Sequence, residues 1–159
     1  MAGTNSETNN YREYYKNNLE EAFRFQDFIM EKLHREGIVL QNIQSKKYQL
    51  KKENLLGMEI KYDMKYATTG NLYIEVSEKS DPKNEKYIPS GIFRNDDNWL
   101  FGIGDYEIFY LFSKKVLQRI FIGGSMKEIE TPTSKGFLMP KSNAEKIAEK
   151  IFFFGGRND

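Results

Sequence analysis

The sequence predicts an α+β fold, a central mixed β-sheet with a β-hairpin core flanked by helices. Three observations carry that reading. Apolar residues recur at helical spacing from Tyr11 to Leu33, Met58 to Lys79 alternates with period two around a short turn, and a second helical pattern closes the chain.

The first helix opens on Asn10, with Glu13 three residues on in the manner of a capping box. Tyr11, Tyr15, Leu19, Ala22, Phe25, Ile29 and Leu33 then share one face, and Gly37 stops the run. Residues 1–9 read as a loose tail, and residues 10–159 as a single domain. Ile38–Ile43 is a candidate strand, followed by a basic stretch holding Lys46, Lys47, Lys51 and Lys52. Met58–Tyr66 and Leu72–Lys79 read as strands joined by the turn Ala67–Asn71. A polar loop, 80–90, leads to strands at Trp99–Ile103 and Tyr106–Phe112. Ser113 can cap a short helix from Lys114 to Phe121, and Gly136–Met139 can form a strand. Ser142 and Glu145 form a second capping box, before a final helix carrying Ala144, Ile147, Ala148, Ile151 and Phe152 and ending at Gly155-Gly156.

Composition narrows the chemistry. The chain of 159 residues is 39% hydrophobic and 14% aromatic, enough to build a core. It holds no cysteine, so disulfides, thiolate nucleophiles and thiolate metal sites are excluded. The 24 basic and 23 acidic side chains leave a net charge of +1, which does not describe a strongly basic nucleic-acid coat. No apolar run approaches the roughly 20 residues of a membrane span. The polar opening carries no signal-peptide core, and the expected compartment is the cytoplasm. His34 is the only histidine and has no partner for a zinc site, so a surface position is expected. Gly102-Ile-Gly104 precedes a strand rather than a helix and is no dinucleotide fingerprint. Trp99, Phe93 and the tyrosines are expected in the core.

Parity sorts the expected hairpin into two faces. Met58, Ile60, Tyr62, Met64, Leu72, Ile74 and Val76 fall on the core side. Glu59, Lys61, Asp63, Glu75, Ser77 and Lys79 fall on the other. A turn symmetric about Thr69 would set Asp63 opposite Glu75, Lys61 opposite Ser77 and Glu59 opposite Lys79. A solvated charged face is the plain explanation. Against it, like charges directly opposed cost a sheet up to roughly 1 kcal/mol. A divalent cation taking oxygen ligands would turn that repulsion into binding.

The segments Gly57-Met-Glu-Ile-Lys-Tyr-Asp63 and Gly70-Asn-Leu-Tyr-Ile-Glu-Val-Ser-Glu-Lys79 resemble the PD-(D/E)XK nuclease superfamily, within it small phage and mobile-element proteins of the Holliday-junction-resolvase type. The resemblance implies a restriction-endonuclease-like fold and metal-dependent hydrolysis of phosphodiester bonds in nucleic acid, DNA above all. Asp63 matches its first acidic position and Glu75 its second, with Mg2+ or Mn2+ as the implied cofactor. Glu59 or Glu21 would be a further metal ligand, although Glu21 also suits a helix-rim residue with a packed stem. Ser77 stands where that family has lysine, so the catalytic cation would be Lys79 or Lys61. Lys114, Lys115 and Arg119, with Ser134 and Lys135 in the loop Thr131–Gly136, are candidate nucleic-acid contacts. The alternative expectation is a non-catalytic, nuclease-like module that binds nucleic acid or a protein partner, as a phage-type inhibitor would. A homodimer is also open.

Overall fold

The structure, a computed structural model, describes residues 5–43, 45–49 and 51–155. The chain divides into two compact units, Met1–Val39 and Leu40–Asp159, where the sequence suggests one domain from residue 10.

The first unit is built on α1, Asn5–Arg35. It begins before Asn10, so part of the expected tail is helical and the Asn10–Glu13 pair lies inside the helix. The side chains of Asn10 and Tyr11 lie outside the described residues. Its end follows from Gly37, whose φ of +83° is left-handed and suits a residue without Cβ. That turn lets the Ile38 N–H reach back to the Leu33 carbonyl at 2.8 Å. Phe25, Ile29 and Leu33 are buried and His34 is exposed. Tyr14, Tyr15, Leu19 and Phe23 are also exposed, so only the second half of the predicted apolar face is covered.

The second unit is α+β, with eight strands in two four-stranded sheets among its described residues. The strands are β1 (Met58–Tyr62), β2 (Asn71–Glu78), β3 (Ile88–Pro89), β4 (Leu100–Gly104), β5 (Ile108–Ser113), β6 (Glu128–Glu130), β7 (Ser134–Pro140) and β8 (Lys150–Phe153). The helices are α2 (Lys46–Gln49), α3 (Tyr66–Thr69), α4 (Lys114–Ile122) and α5 (Lys141–Ile147), and a 3₁₀ turn spans Gly91–Phe93. One sheet is mixed, ordered β1-β4-β5-β8, with β1 parallel to β4. The other is antiparallel, ordered β3-β2-β7-β6.

One apolar core joins the inward residues of both sheets. Leu72, Ile74 and Val76 of β2 and Phe137 and Met139 of β7 pack with Phe101 and Ile103 of β4 and Ile108, Tyr110 and Phe112 of β5. Leu117 of α4 and Ala144 of α5 join them. Within the core, the hydroxyls of Tyr66 and Tyr110 share a hydrogen bond of 2.7 Å.

The structure overturns several expectations. The β1–β2 hairpin does not form: β1 pairs with β4 and β2 with β3 and β7, so the two strands belong to different sheets. The chain leaves β1 after Tyr62 and turns through α3 before β2 begins. Ile38–Ile43 supplies one isolated bridge, Asn42 to Asn54, rather than a strand. Trp99 is 59% exposed. The last predicted helix stops at Ile147, and Ile151 and Phe152 pair with β5 as β8. Ser142 lies inside α5 and caps nothing; Pro140 holds the N-cap position. Gly156 lies outside the described residues. Strands β3 and β6 were not foreseen.

Candidate functional site

Strand β1 is pinned by a side chain that imitates a neighbouring strand. Asn54 donates its Nδ2–H to the Met58 carbonyl at 2.8 Å, and its Oδ1 accepts the Met58 N–H at 3.0 Å. The parallel register then sets Glu59 beside Phe101 and Lys61 beside Ile103, two core residues. The charged side of β1 therefore faces inward, the reverse of the predicted orientation. Glu59 is fully buried.

A buried glutamate needs compensation, because an uncompensated interior charge costs several kcal/mol. Two lysines supply it: Lys61 Nζ lies 3.1 Å from Oε1 and Lys114 Nζ 3.0 Å from Oε2. Lys114, at the start of α4, is itself 4% exposed and also contacts Asp96 Oδ1 at 3.0 Å. Asp96 in turn accepts the backbone and side-chain N–H groups of Asn98, each at 3.0 Å. Glu53 adds a further acid, its Oε2 accepting the Ile60 N–H at 3.2 Å. Burial and the nearby Glu59 raise the Glu53 carboxyl above its ordinary pKa.

From this network Lys61 reaches into a cleft of about 520 Å³. The cleft is bounded by residues of both sheets. Lys61 and Tyr62 of β1 and Asp63 just beyond it meet Tyr73 and Glu75 of β2. Phe101, Ile103, Ile129 and Leu138 add apolar surface, and Thr131 a hydroxyl.

Asp63 fastens the two sheets together. Its N–H extends the β1–β4 ladder to the Gly104 carbonyl at 2.8 Å. Its Oδ1 accepts the Lys65 N–H at 3.0 Å and its Oδ2 the Tyr73 N–H at 2.8 Å. Each carboxylate oxygen has two lone pairs, so both keep acceptor capacity. Asp63 does not stand opposite Glu75; its contact on β2 is two residues earlier.

Glu75 is held by a feature the sequence reading passed over. Ser90 donates its hydroxyl to Glu75 Oε1 at 2.8 Å. Gly91 follows with φ of +52°, and a Cβ there would lie 2.2 Å from the Glu75 carbonyl oxygen. Only glycine lets this turn press onto β2. Burial raises the Glu75 carboxyl above its ordinary pKa, against the lowering effects of Lys61 and Ser90, with Glu78 and Glu59 adding repulsion. Burial alone would depress the Lys61 ammonium, but Glu59, Glu75 and Glu53 outweigh it and raise it. Along the cleft wall Lys61 and Lys65 balance Asp63 and Glu75.

The remaining candidates lie elsewhere. Lys79 stacks on the Tyr87 ring at 4.8 Å, with Lys135 on the same ring at 4.5 Å, and neither lines the cleft. Ser77 is half-buried and pairs with Lys135 in the sheet register. Two of the predicted nucleic-acid contacts are buried. Lys114 is buried in its ion pairs, and Ser134 is buried with its hydroxyl on Tyr73 at 2.8 Å and Thr131 at 2.9 Å. Lys115 and Arg119 are exposed on α4. Glu21 belongs to the other unit, where it pairs with Arg24 at 3.7 Å.

No match was found among protein-family models, curated proteins or solved structures. The site is therefore read on its own chemistry. Among the described residues, no three His, Cys, Asp or Glu side chains form a ready-made metal cluster, and no helix is long and apolar enough to cross a membrane.

Proposed function

We propose that the cleft is a divalent-cation-assisted site for hydrolysing phosphodiester bonds in nucleic acid, within a restriction-endonuclease-like scheme. One observation carries the reading. Asp63, Glu75 and Lys61 line a single cleft although Lys61 lies on β1, Asp63 just after it, and Glu75 on a strand of the other sheet. The donor set fits the cation, because carboxylate oxygens suit Mg2+ or Mn2+.

In this scheme Asp63 and Glu75 would hold the ion, and Glu59 keeps its place as the buried counter-charge of Lys61. A divalent ion supplies a Lewis acid beside the phosphate. Lys61, fixed by Glu59, places its ammonium where charge develops on the phosphate oxygens. Lys61 takes this role rather than Lys79, whose ammonium is engaged on Tyr87. Asp63 also preserves the cleft's shape through its two backbone contacts. Lys115 and Arg119 remain exposed cations for the nucleic-acid backbone.

The test is cleavage of single- and double-stranded DNA with Mg2+ or Mn2+ by the wild type, Lys61→Met and Lys79→Met. Loss of cleavage in Lys61→Met alone is expected. Equal activity in both variants and the wild type would remove lysine from the scheme. A second reading, a non-catalytic binding module for nucleic acid or a protein partner, is favoured by the mainly apolar walls of the cleft. It predicts binding without cleavage under every metal condition.

A further inference from the structure

We propose that the exposed ridge Tyr15–Leu19–Phe23 of α1 is a self-association surface that takes a second copy of this chain in antiparallel orientation. Tyr15 is 62%, Leu19 44% and Phe23 57% exposed, and adjacent Tyr14 is 65% exposed. Residues four apart on a helix stack into one continuous ridge. An exposed apolar surface of this kind marks an interaction site.

The sequence along the ridge selects the partner. A two-fold contact must be self-complementary. Tyr15 and Phe23 are equidistant from Leu19, so a two-fold axis at Leu19 sets Tyr15 against Phe23 of the copy. Leu19 then meets Leu19. Lys16 and Glu20, one turn apart, lie on one flank of the ridge, the cation toward the helix N-terminus and the anion toward its C-terminus. An antiparallel copy lays this flank against itself in reverse. Lys16 then approaches Glu20 of the copy. A parallel copy lays the flank against the opposite edge, where Tyr14, Asn18 and Ala22 offer no charge. Flanking charges of this kind set orientation in paired helices.

Sedimentation equilibrium of the full chain tests the proposal, with a concentration-dependent monomer–dimer equilibrium expected. Leu19→Lys puts two like charges on the axis and weakens dimerisation about tenfold or more. Lys16→Glu and Glu20→Lys each weaken it, and the double variant restores it. Circular dichroism checks that these exposed substitutions leave the helix intact. Because the chain has no cysteine, introduced thiols report orientation directly. A mixture of Tyr15→Cys and Phe23→Cys chains should cross-link on mild oxidation, and neither variant alone should do so efficiently. A monomer at every concentration, an unaffected Leu19→Lys dimer, or preferential cross-linking of Tyr15→Cys with itself would overturn the proposal.

Discussion

Strands β1 and β2 carry similar alternating sequences and meet opposite fates. In β2 the apolar residues Leu72, Ile74 and Val76 are buried in strict alternation. In β1 both Met58 and the glutamate after it are buried, while Ile60 and Tyr62 are partly exposed. The difference lies in the neighbours. β2 runs through its own antiparallel sheet with one face on the apolar core, whereas β1 lies parallel to β4 and inherits the inward face of Phe101 and Ile103. Alternation tells which residues share a face, and a partner some forty positions away decides which face is inside. β1 can turn charge inward because Lys114 and Lys61 meet Glu59 there.

The sharpest way to break this comparison is Lys114→Met. It leaves Glu59 with a single lysine and deprives Asp96 of its buried one, and should cost about 3–5 kcal/mol in chemical denaturation. Adding Glu59→Met should recover part of that loss, because removing a buried pair is milder than orphaning one member. Near-wild-type stability of Lys114→Met would mean that the buried charge is not held as described.

The corresponding change in β2 is smaller. Ile74→Val removes one methylene from an apolar site and should cost about 0.5–1.5 kcal/mol, with no dependence on pH between mildly acidic and neutral solution. A strong pH dependence would show that the β2 side of the core also carries charge.

Glu75→Gln should have the smallest effect and the opposite sign. The folded carboxyl has a raised pKa, so the wild type loses stability as pH rises from the unfolded value through the folded one. The amide carries no charge and can still accept the Ser90 hydroxyl. The variant should therefore melt slightly higher than the wild type at neutral pH, and the gap should close below the unfolded carboxyl pKa. A lower melting temperature at neutral pH would mean that Glu75 is stabilised as an anion.

Much of this was legible in the sequence, for identifiable reasons. The periodicities of α1, β2, β4, β5 and α4 are local, and each appears close to where it was expected. The final helix failed because Ile147, Ile151 and Phe152 fit both helical and extended patterns. Pairing of Ile151 with Tyr110 and Phe152 with Phe109 settles them as a strand. The hairpin failed because a turn-like segment between two alternating runs does not say that the runs pair. At the site, Asp63, Glu75 and Lys61 were visible as residue types. The burial of Lys114 and the Ser90-Gly91 turn against Glu75 depend on contacts distant in sequence. Ser90-Gly91 did leave a trace, a small residue and a glycine closing a polar loop.

The central claim, that Asp63 and Glu75 form a cation site beside Lys61, is tested most directly by melting with and without Mn2+ at matched ionic strength. An ion that binds only the folded chain adds about 2.7 kcal/mol at a hundredfold excess over Kd, which raises the melting temperature by several degrees. The wild type should show that rise and Glu75→Gln should lose most of it. Identical melting of the wild type in Mn2+, Mg2+ and sodium salt would contradict the cation site.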